Sequence, residues 1–238
     1  MDFKEVFPME KPIIGMIHLA GQDPVLRAVK EMEIYREQGV DGVIIEDYHA
    51  GPEYVEQTLD FIQKKEMDVG VVKGINILGD TPESFRLANK YGCNFIQADT
   101  IQPSHIRLSE YSAERRSFPN IAVLGGVRFK YQSVTGKSLE QDIAEALPLC
   151  DAIVTTGEGT GEETPLEKLV DFRRVMGDFP LIDGAGVNPL NAYEQLSVAN
   201  GAIIGSSFKR DRDTQDIVQG YLIKRVMDEV RRVRADLE

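Results

Sequence analysis

Apolar residues in this chain come in short runs, and four of the runs are versions of one another. They read Asp41-Gly-Val-Ile-Ile-Glu46, Asn94-Phe-Ile-Gln-Ala-Asp99, Asp151-Ala-Ile-Val-Thr-Thr156 and Asn200-Gly-Ala-Ile-Ile-Gly205. Each opens on Asp or Asn at a turn, crosses a short apolar core and ends on a residue suited to chemistry or a tight loop. Recurrence every ~50 residues marks a repeated supersecondary unit. Further apolar runs lie between the copies, at 13–17, 71–78, 121–129 and 180–182. Together the two sets predict eight strands. Helical periodicity fills the gaps at about 25–38, 53–66, 82–91, 139–147, 166–176 and 190–198, and a last helix spans about 217–237. Thr81-Pro82, Thr164-Pro165 and Asn188-Pro189 predict capped helix starts, and Gly39, Gly92 and Gly177 predict stops. No linker or low-complexity tract divides the chain. The prediction is one domain over residues 1–238, a (β/α)8 TIM barrel.

Side chains alternate along a strand, so one set packs against the helices and the other fills the barrel. If the more uniformly apolar set faces the helices, the inward residues at the carboxyl ends are polar. Strand 1 sends in Ile14, Met16 and His18; strand 2, Ile44 and Glu46; strand 3, Asn76; strand 4, Gln97 and Asp99. Strand 5 sends in Leu124, Gly126, Arg128 and Lys130, with Val127 and Phe129 outward; strand 6 sends in Val154 and Thr156. Asp183 falls at the end of strand 7. Barrel enzymes keep their active sites at this rim. Burying so many ionisable groups without a ligand or mutual pairing would be costly. His18, Glu46, Asp99, Arg128, Lys130 and Asp183 are therefore the catalytic candidates, with a structural Glu46–Arg128 bridge as the plainer alternative.

The loops after strands 7 and 8 are glycine-rich: Gly184-Ala-Gly186 leads to Asn188-Pro189, and Gly205-Ser206 follows strand 8. Glycines let backbone amides approach an anion, and barrels commonly bind phosphate between these two loops. Thr156, Gly157, Thr160 and Gly161 after strand 6 would complete the cradle or form a lid, with Asn76 contributing from strand 3. Gly136-Lys137-Ser138 lacks the opening glycine and leading strand of an ATPase P-loop. A divalent cation held by Glu46, Asp47 and Asp99 is chemically compatible with this set, although nothing in the sequence requires a cofactor.

A net charge of −12 makes free nucleic acid and anionic membrane poor partners, leaving a small phosphorylated ligand as the expected one. No apolar run reaches the length of a membrane span, and residues 1–11 lack a signal peptide's apolar segment, so a cytoplasmic location is expected. Cys93 and Cys150 occupy equivalent places before strands and read as buried packing residues in a reducing compartment. The last helix has a stripe at Ile223, Val226, Val230, Val233 and Leu237 that packs on its own barrel or, alternatively, on a second copy in a homo-oligomer. His49 follows strand 2 and lies within reach of the mouth or in solvent; His105 reads as the surface start of a helix.

Gly15-Met-Ile-His-Leu19, Gly39-Val-Asp-Gly-Val43, Asn76-Ile-Leu78, Thr155-Thr-Gly157 with Thr160-Gly161, and Gly201-Ala-Ile-Ile-Gly205 resemble the BtpA family in order along nearly the whole chain. The resemblance implies a ribulose-phosphate-binding-barrel-like fold and, from the family's name, a role of the photosystem I biogenesis type. The chain departs from the family pattern on strand 5, with Gly125-Gly126-Val127 for Ala-Asp-Val and Lys130-Tyr131 for Lys-His. Gln97 and Asp99 replace Arg and Asn, and Asp183 precedes the glycine loop of strand 7. Asp183-Gly184 is similar to the Asp-Gly of ribulose-phosphate epimerases, where that Asp moves a proton. The expected function is enzymatic: acid/base chemistry on a sugar-phosphate-like metabolite, isomerase, epimerase or lyase in type. Two alternatives are a Schiff-base aldolase using Lys130, activated by Arg128, and a non-catalytic binding or assembly factor.

Overall fold

Each of the four repeats performs the same structural task. The side chain of its opening residue accepts the first or second amide of the strand before it: Ile13 N on Asp41 at 2.7 Å, Lys73 N on Asn94 at 3.2 Å, Val123 N on Asp151 at 2.8 Å and Leu181 N on Asn200 at 2.9 Å. Its own amide then donates back to that residue's carbonyl, at 2.7–3.0 Å in all four. Every odd strand is thereby tied to the following even strand at its amino end, where ladder partners run out. Arginines brace three of these junctions: Arg234 on Asp41, Arg115 on Asp151 and Arg173 on Asn200.

The computed structural model describes residues 2–67 and 70–237; Met1, Asp68, Val69 and Glu238, included in the single-domain reading, lie outside them. Eight parallel strands close in sequence order: β1 (Ile13–His18), β2 (Gly42–Glu46), β3 (Val72–Asn76), β4 (Phe95–Ala98), β5 (Ala122–Gly126), β6 (Ala152–Thr155), β7 (Leu181–Asp183) and β8 (Gly201–Ile204). Around them stand α2 (Pro24–Glu37), α3 (Pro52–Lys64), α4 (Thr81–Tyr91), α5 (Leu108–Ser117), α6 (Leu139–Ala146), α7 (Leu166–Met176), α8 (Ala192–Val198) and α9 (Gly220–Ala235). A short helix α1 (Phe3–Val6) precedes β1. This is the predicted TIM barrel. No described helix is long and apolar enough to cross a membrane.

Alternation sorts the core as expected on most strands. Ile14, Met16, Ile44, Leu124, Val154 and Ile203 fill the barrel, while Val43, Ile45, Ile75, Ile96, Val123 and Ile153 face the helices. Phe3, Val6 and Phe7 close the bottom, with the Phe7 ring 5.5 Å from Phe95. Gly74 makes room there, since a Cβ would stand 2.3 Å from the Phe95 ring.

Several boundaries differ from the sequence reading. Asp80, not Thr81, caps α4, accepting from Glu83 N at 3.0 Å. Thr164 does not cap α7, because its hydroxyl donates to Asp183 instead. Asn188 accepts from Leu190 N in a local turn, and α8 starts only at Ala192. Helix α5 was expected only as a start at His105, with no range; it begins at Leu108, buries only Tyr111 and so shows no apolar stripe. The α9 stripe packs on its own barrel at Ile223, Val226, Val230 and Val233, so it is not a seam for a second copy; Leu237 is exposed. Cys93 and Cys150 are buried free thiols, and burial pushes Cys93 up to about 11 and Cys150 higher still.

Candidate active site

The alternation that buries Ile44 carries Glu46 and then Tyr48 to the carboxyl end of the barrel. Strand register sets His18 beside Glu46 and Glu46 beside Asn76. Asn76 is buried and uses one amide nitrogen to join two acids, donating to Glu46 Oε1 at 2.9 Å and Asp99 Oδ1 at 3.0 Å. Gln97 Nε2 adds a third hydrogen bond, to the same Asp99 oxygen, at 3.1 Å. A cavity of about 260 Å³ opens over this group, lined by His18, Glu46, Asp99 and Lys130 on one side and by the loops after β6, β7 and β8 on the other.

Burial, reinforced by the charge of Asp99, pushes the Glu46 carboxyl up to about 8, although Lys130 and the Asn76 hydrogen bond act in the opposite sense. Glu46 therefore holds its proton at neutral pH. Burial, then the positive charges of Lys209 and Lys130, hold His18 well below the ordinary imidazole range. The 3.8 Å approach of His18 Nε2 to Glu46 Oε2 is thus a contact between two neutral groups near pH 7, not an ion pair. Lys130 Nζ sits 4.8 Å from the centre of the Phe129 ring and borders the cavity.

Opposite the acids, Thr160, Gly161, Gly184, Gly186, Gly205 and Ser206 all border the cavity, together with Ser207. Loop 8 turns into a single 3-10 turn, Ser206–Phe208, whose first amides have no place in its own ladder. Gly161 has φ +78°, and a Cβ there would lie 2.6 Å from Ser206 Oγ, so loop 6 rests directly on loop 8. Gly186 also has φ +77°, but its missing side chain admits the backbone of Glu163 rather than a ligand.

Other predicted site residues point elsewhere. Arg128 has φ +48°, which breaks the alternation of strand 5: Phe129 turns into the barrel and Arg128 turns out to Asp142, Nε to Oδ2 at 2.8 Å. It forms no bridge to Glu46. Ile182 points inward, so Asp183 points away from the mouth; it is fully buried, accepts from Thr164 Oγ1 at 2.6 Å and is pushed up to about 7 by burial. Thr156 lies beneath the cavity, accepting the Lys130 amide at 2.7 Å and donating to Gly157 O. The missing Cβ of Gly157 leaves room for the carbonyl of Glu163. Asn188 holds its own loop through Gly186 O. His49 bonds Thr214 Oγ1 at 2.9 Å, and His105 sits in a turn between Thr100 and Ser133. Asp47 accepts from Leu78 N at 2.9 Å, which turns it from Glu46 and Asp99; among the described residues no three His, Cys, Asp or Glu side chains cluster closely enough to hold a metal.

Two tyrosines were missed as site residues. Tyr48 OH lies 3.1 Å from Thr160 Oγ1, Tyr131 OH donates to the same oxygen at 3.1 Å, and Thr160 N donates to Tyr131 OH at 2.8 Å. This latch joins loops 2, 5 and 6 above the cavity. Alternation offered the signal for Tyr48, which follows Ile44 and Glu46 at the same spacing. Tyr131, at φ +62° in a loop, offered none. Strand 5 is bare for a steric reason: a Cβ on Gly126 would stand 2.0 Å from the carbonyl oxygen of Asp99.

The model of the BtpA family matches residues 9–232. An uncharacterized mitochondrial protein of Caenorhabditis elegans is 28% identical over 92% of this chain and 92% of its own length. The photosystem I biogenesis protein BtpA of Synechocystis is 24% identical, covering 92% of this chain and 87% of that one. In shape the chain is similar to thiamine phosphate pyrophosphorylase of Pyrococcus furiosus, with a TM-score of 0.67, 13% identity, and 93% and 96% of the two chains covered. The likeness is one of fold, the closed eight-stranded parallel barrel.

Proposed function

The chain belongs to the BtpA family, and on that premise we propose that it is an enzyme moving protons on a small phosphorylated, sugar-phosphate-like metabolite. The observation that carries the reading is the single Asn76 nitrogen shared by Glu46 and Asp99, across one cavity from three glycine-bearing loops. A buried carboxyl that keeps its proton beside a part-exposed one with two amide donors is a donor–acceptor pair set by environment. Lys130 borders the same space and would stabilise an enolate-like oxygen. The phosphate would lie against loops 6, 7 and 8, bound by backbone amides and serine hydroxyls.

Arg128, the neighbour that would have activated Lys130 for an imine, faces Asp142, which removes the support for a Schiff-base route. The rival is a non-catalytic binding or assembly role, after the name of the Synechocystis relative; the bare strand 5 at Gly126 speaks for it. Proton NMR in D2O separates the two. Phosphorylated ketoses are incubated with the protein, and exchange of hydrogens next to the carbonyl is followed. Glu46→Gln should slow exchange by about 100-fold or more while phosphate binding survives. Ser207→Asp, which puts a negative charge in the cradle, should abolish binding without unfolding the chain. If no phosphorylated ketose exchanges or raises the melting temperature, the enzyme reading is lost.

A further inference from the structure

Beside the mouth lies a second cavity of about 560 Å³, between the β5–α6 loop and the first turns of α7. Lys130 and Tyr131 border both spaces, so one opens next to the other. Three groups along its wall, Gln102, Lys130 and Lys168, have donor capacity to spare. Gln102 is 2% exposed; its Oε1 accepts from Arg128 N at 3.0 Å, and its Nε2 is buried with no partner among the described residues. A buried donor is costly to leave unmet, so a ligand acceptor there would recover that loss. Lys168 donates to the carbonyls of Arg128 and Thr156 at 2.9 and 2.6 Å, and among the described residues one ammonium hydrogen stays unengaged and no carboxylate is in contact. Lys130 has no ion-pair partner among the described residues either; its ammonium faces an aromatic ring.

The other cations along this wall are already neutralised, Arg128 by Asp142 and Lys137 by Glu145. Of the two bordering acids, Asp171 is paired with Arg174, and Glu158 is exposed and acts on Lys168 through its charge without an ion-pair contact. Two unpaired ammonium groups and a buried amide donor select an anion.

We propose that this cavity is a second anion subsite, and that the ligand held by loops 6 to 8 carries a carboxylate or a second phosphate that reaches Gln102, Lys130 and Lys168. The inference rests on the phosphate reading above. It narrows the substrate class from any sugar phosphate to a two-headed one.

Calorimetric titration with four open-chain probes tests it: 6-phosphogluconate, sorbitol 6-phosphate, gluconate and glucitol 1,6-bisphosphate. The two-headed probes should bind about tenfold or more tighter than sorbitol 6-phosphate. Whichever of the two binds better identifies the second head. Gln102→Glu keeps the acceptor for Arg128 N but replaces the free donor with a negative oxygen. It should erase the advantage and leave sorbitol 6-phosphate unaffected. If that variant melts early without ligand, Lys168→Met serves in its place, with the same expectation. Equal wild-type affinity for one-headed and two-headed probes overturns the proposal, as does a variant that weakens both alike. Binding of gluconate without binding of sorbitol 6-phosphate would instead sink the loop phosphate site and leave this one standing. Silence from all four would sink both.

Discussion

Glu46 would make opposite contributions to folding and to the proposed chemistry, and pH separates them. Its carboxyl is pushed up to about 8 by burial and Asp99, far above the range of an unfolded glutamate. The folded state therefore binds more protons than the unfolded one, and its stability falls as pH rises from about 4.5 to about 8. Glu46→Gln keeps an acceptor for Asn76 but cannot ionise. The variant should match wild type near pH 4.5 and be the more stable by on the order of 3 kcal/mol at pH 9, in paired urea titrations. A constant difference across that range would show that Glu46 is not the buried acid described. Gly126 permits the arrangement from the other side. Gly126→Ala forces a methyl against the Asp99 carbonyl oxygen, and should cost about 3 kcal/mol while displacing one of the two acids. Proton exchange and urea midpoint should fall together; an alanine variant as stable as wild type would mean that the strand-to-loop contact is loose.

The strand junctions rank themselves by chemistry. Asp151 accepts Val123 N and both nitrogens of Arg115, each at 2.8–3.0 Å, whereas Asn94 makes one neutral contact with Lys73 N at 3.2 Å. Asp151→Ala should therefore cost about 2–4 kcal/mol and Asn94→Ala about 1 kcal/mol, measured by denaturant unfolding. Equal costs would mean that the recurring Asp/Asn is a turn preference and not a strand tie. These junctions also explain what could be read in advance. A motif that recurs because every copy does one job is visible without coordinates, and so were the strand count and the inward set of β1, β2, β4 and β6. Arg128 escaped because a single positive φ ends the alternation, and residue identity does not announce a left-handed arginine. Asp183 escaped because β7 has only three residues, too few to show which face is which. Tyr131 and the Gln102 cavity belong to loops, where no periodicity links sequence to direction.

With the proposed site at its mouth, the barrel would divide its labour between its two ends, and that division can be broken from either side. Phe7 is 1% exposed and seals the bottom against Phe95, with Phe3 and Val6 behind it. The four-residue helix that delivers it is too short to carry a period and was invisible in the sequence. Removing that ring opens a cavity in the barrel floor. The loss for a buried Phe→Ala is about 3–5 kcal/mol, a large part of the roughly 5–15 kcal/mol that holds a domain together. Five or six strand residues, about 17–20 Å, separate that floor from the mouth. Additivity over such a distance predicts that Phe7→Ala lowers the unfolding midpoint steeply yet leaves phosphate affinity within about twofold once the protein is folded in the cold. Glu46→Gln is its mirror image, losing exchange while keeping or gaining stability. Combined in one chain, the two changes should add within about 0.5 kcal/mol in urea unfolding at pH 7, because no partner is shared. A larger coupling, or a loss of ligand affinity in Phe7→Ala, would show that the floor shapes the mouth, and that the hydrophobic plug belongs to the site as well as to the core.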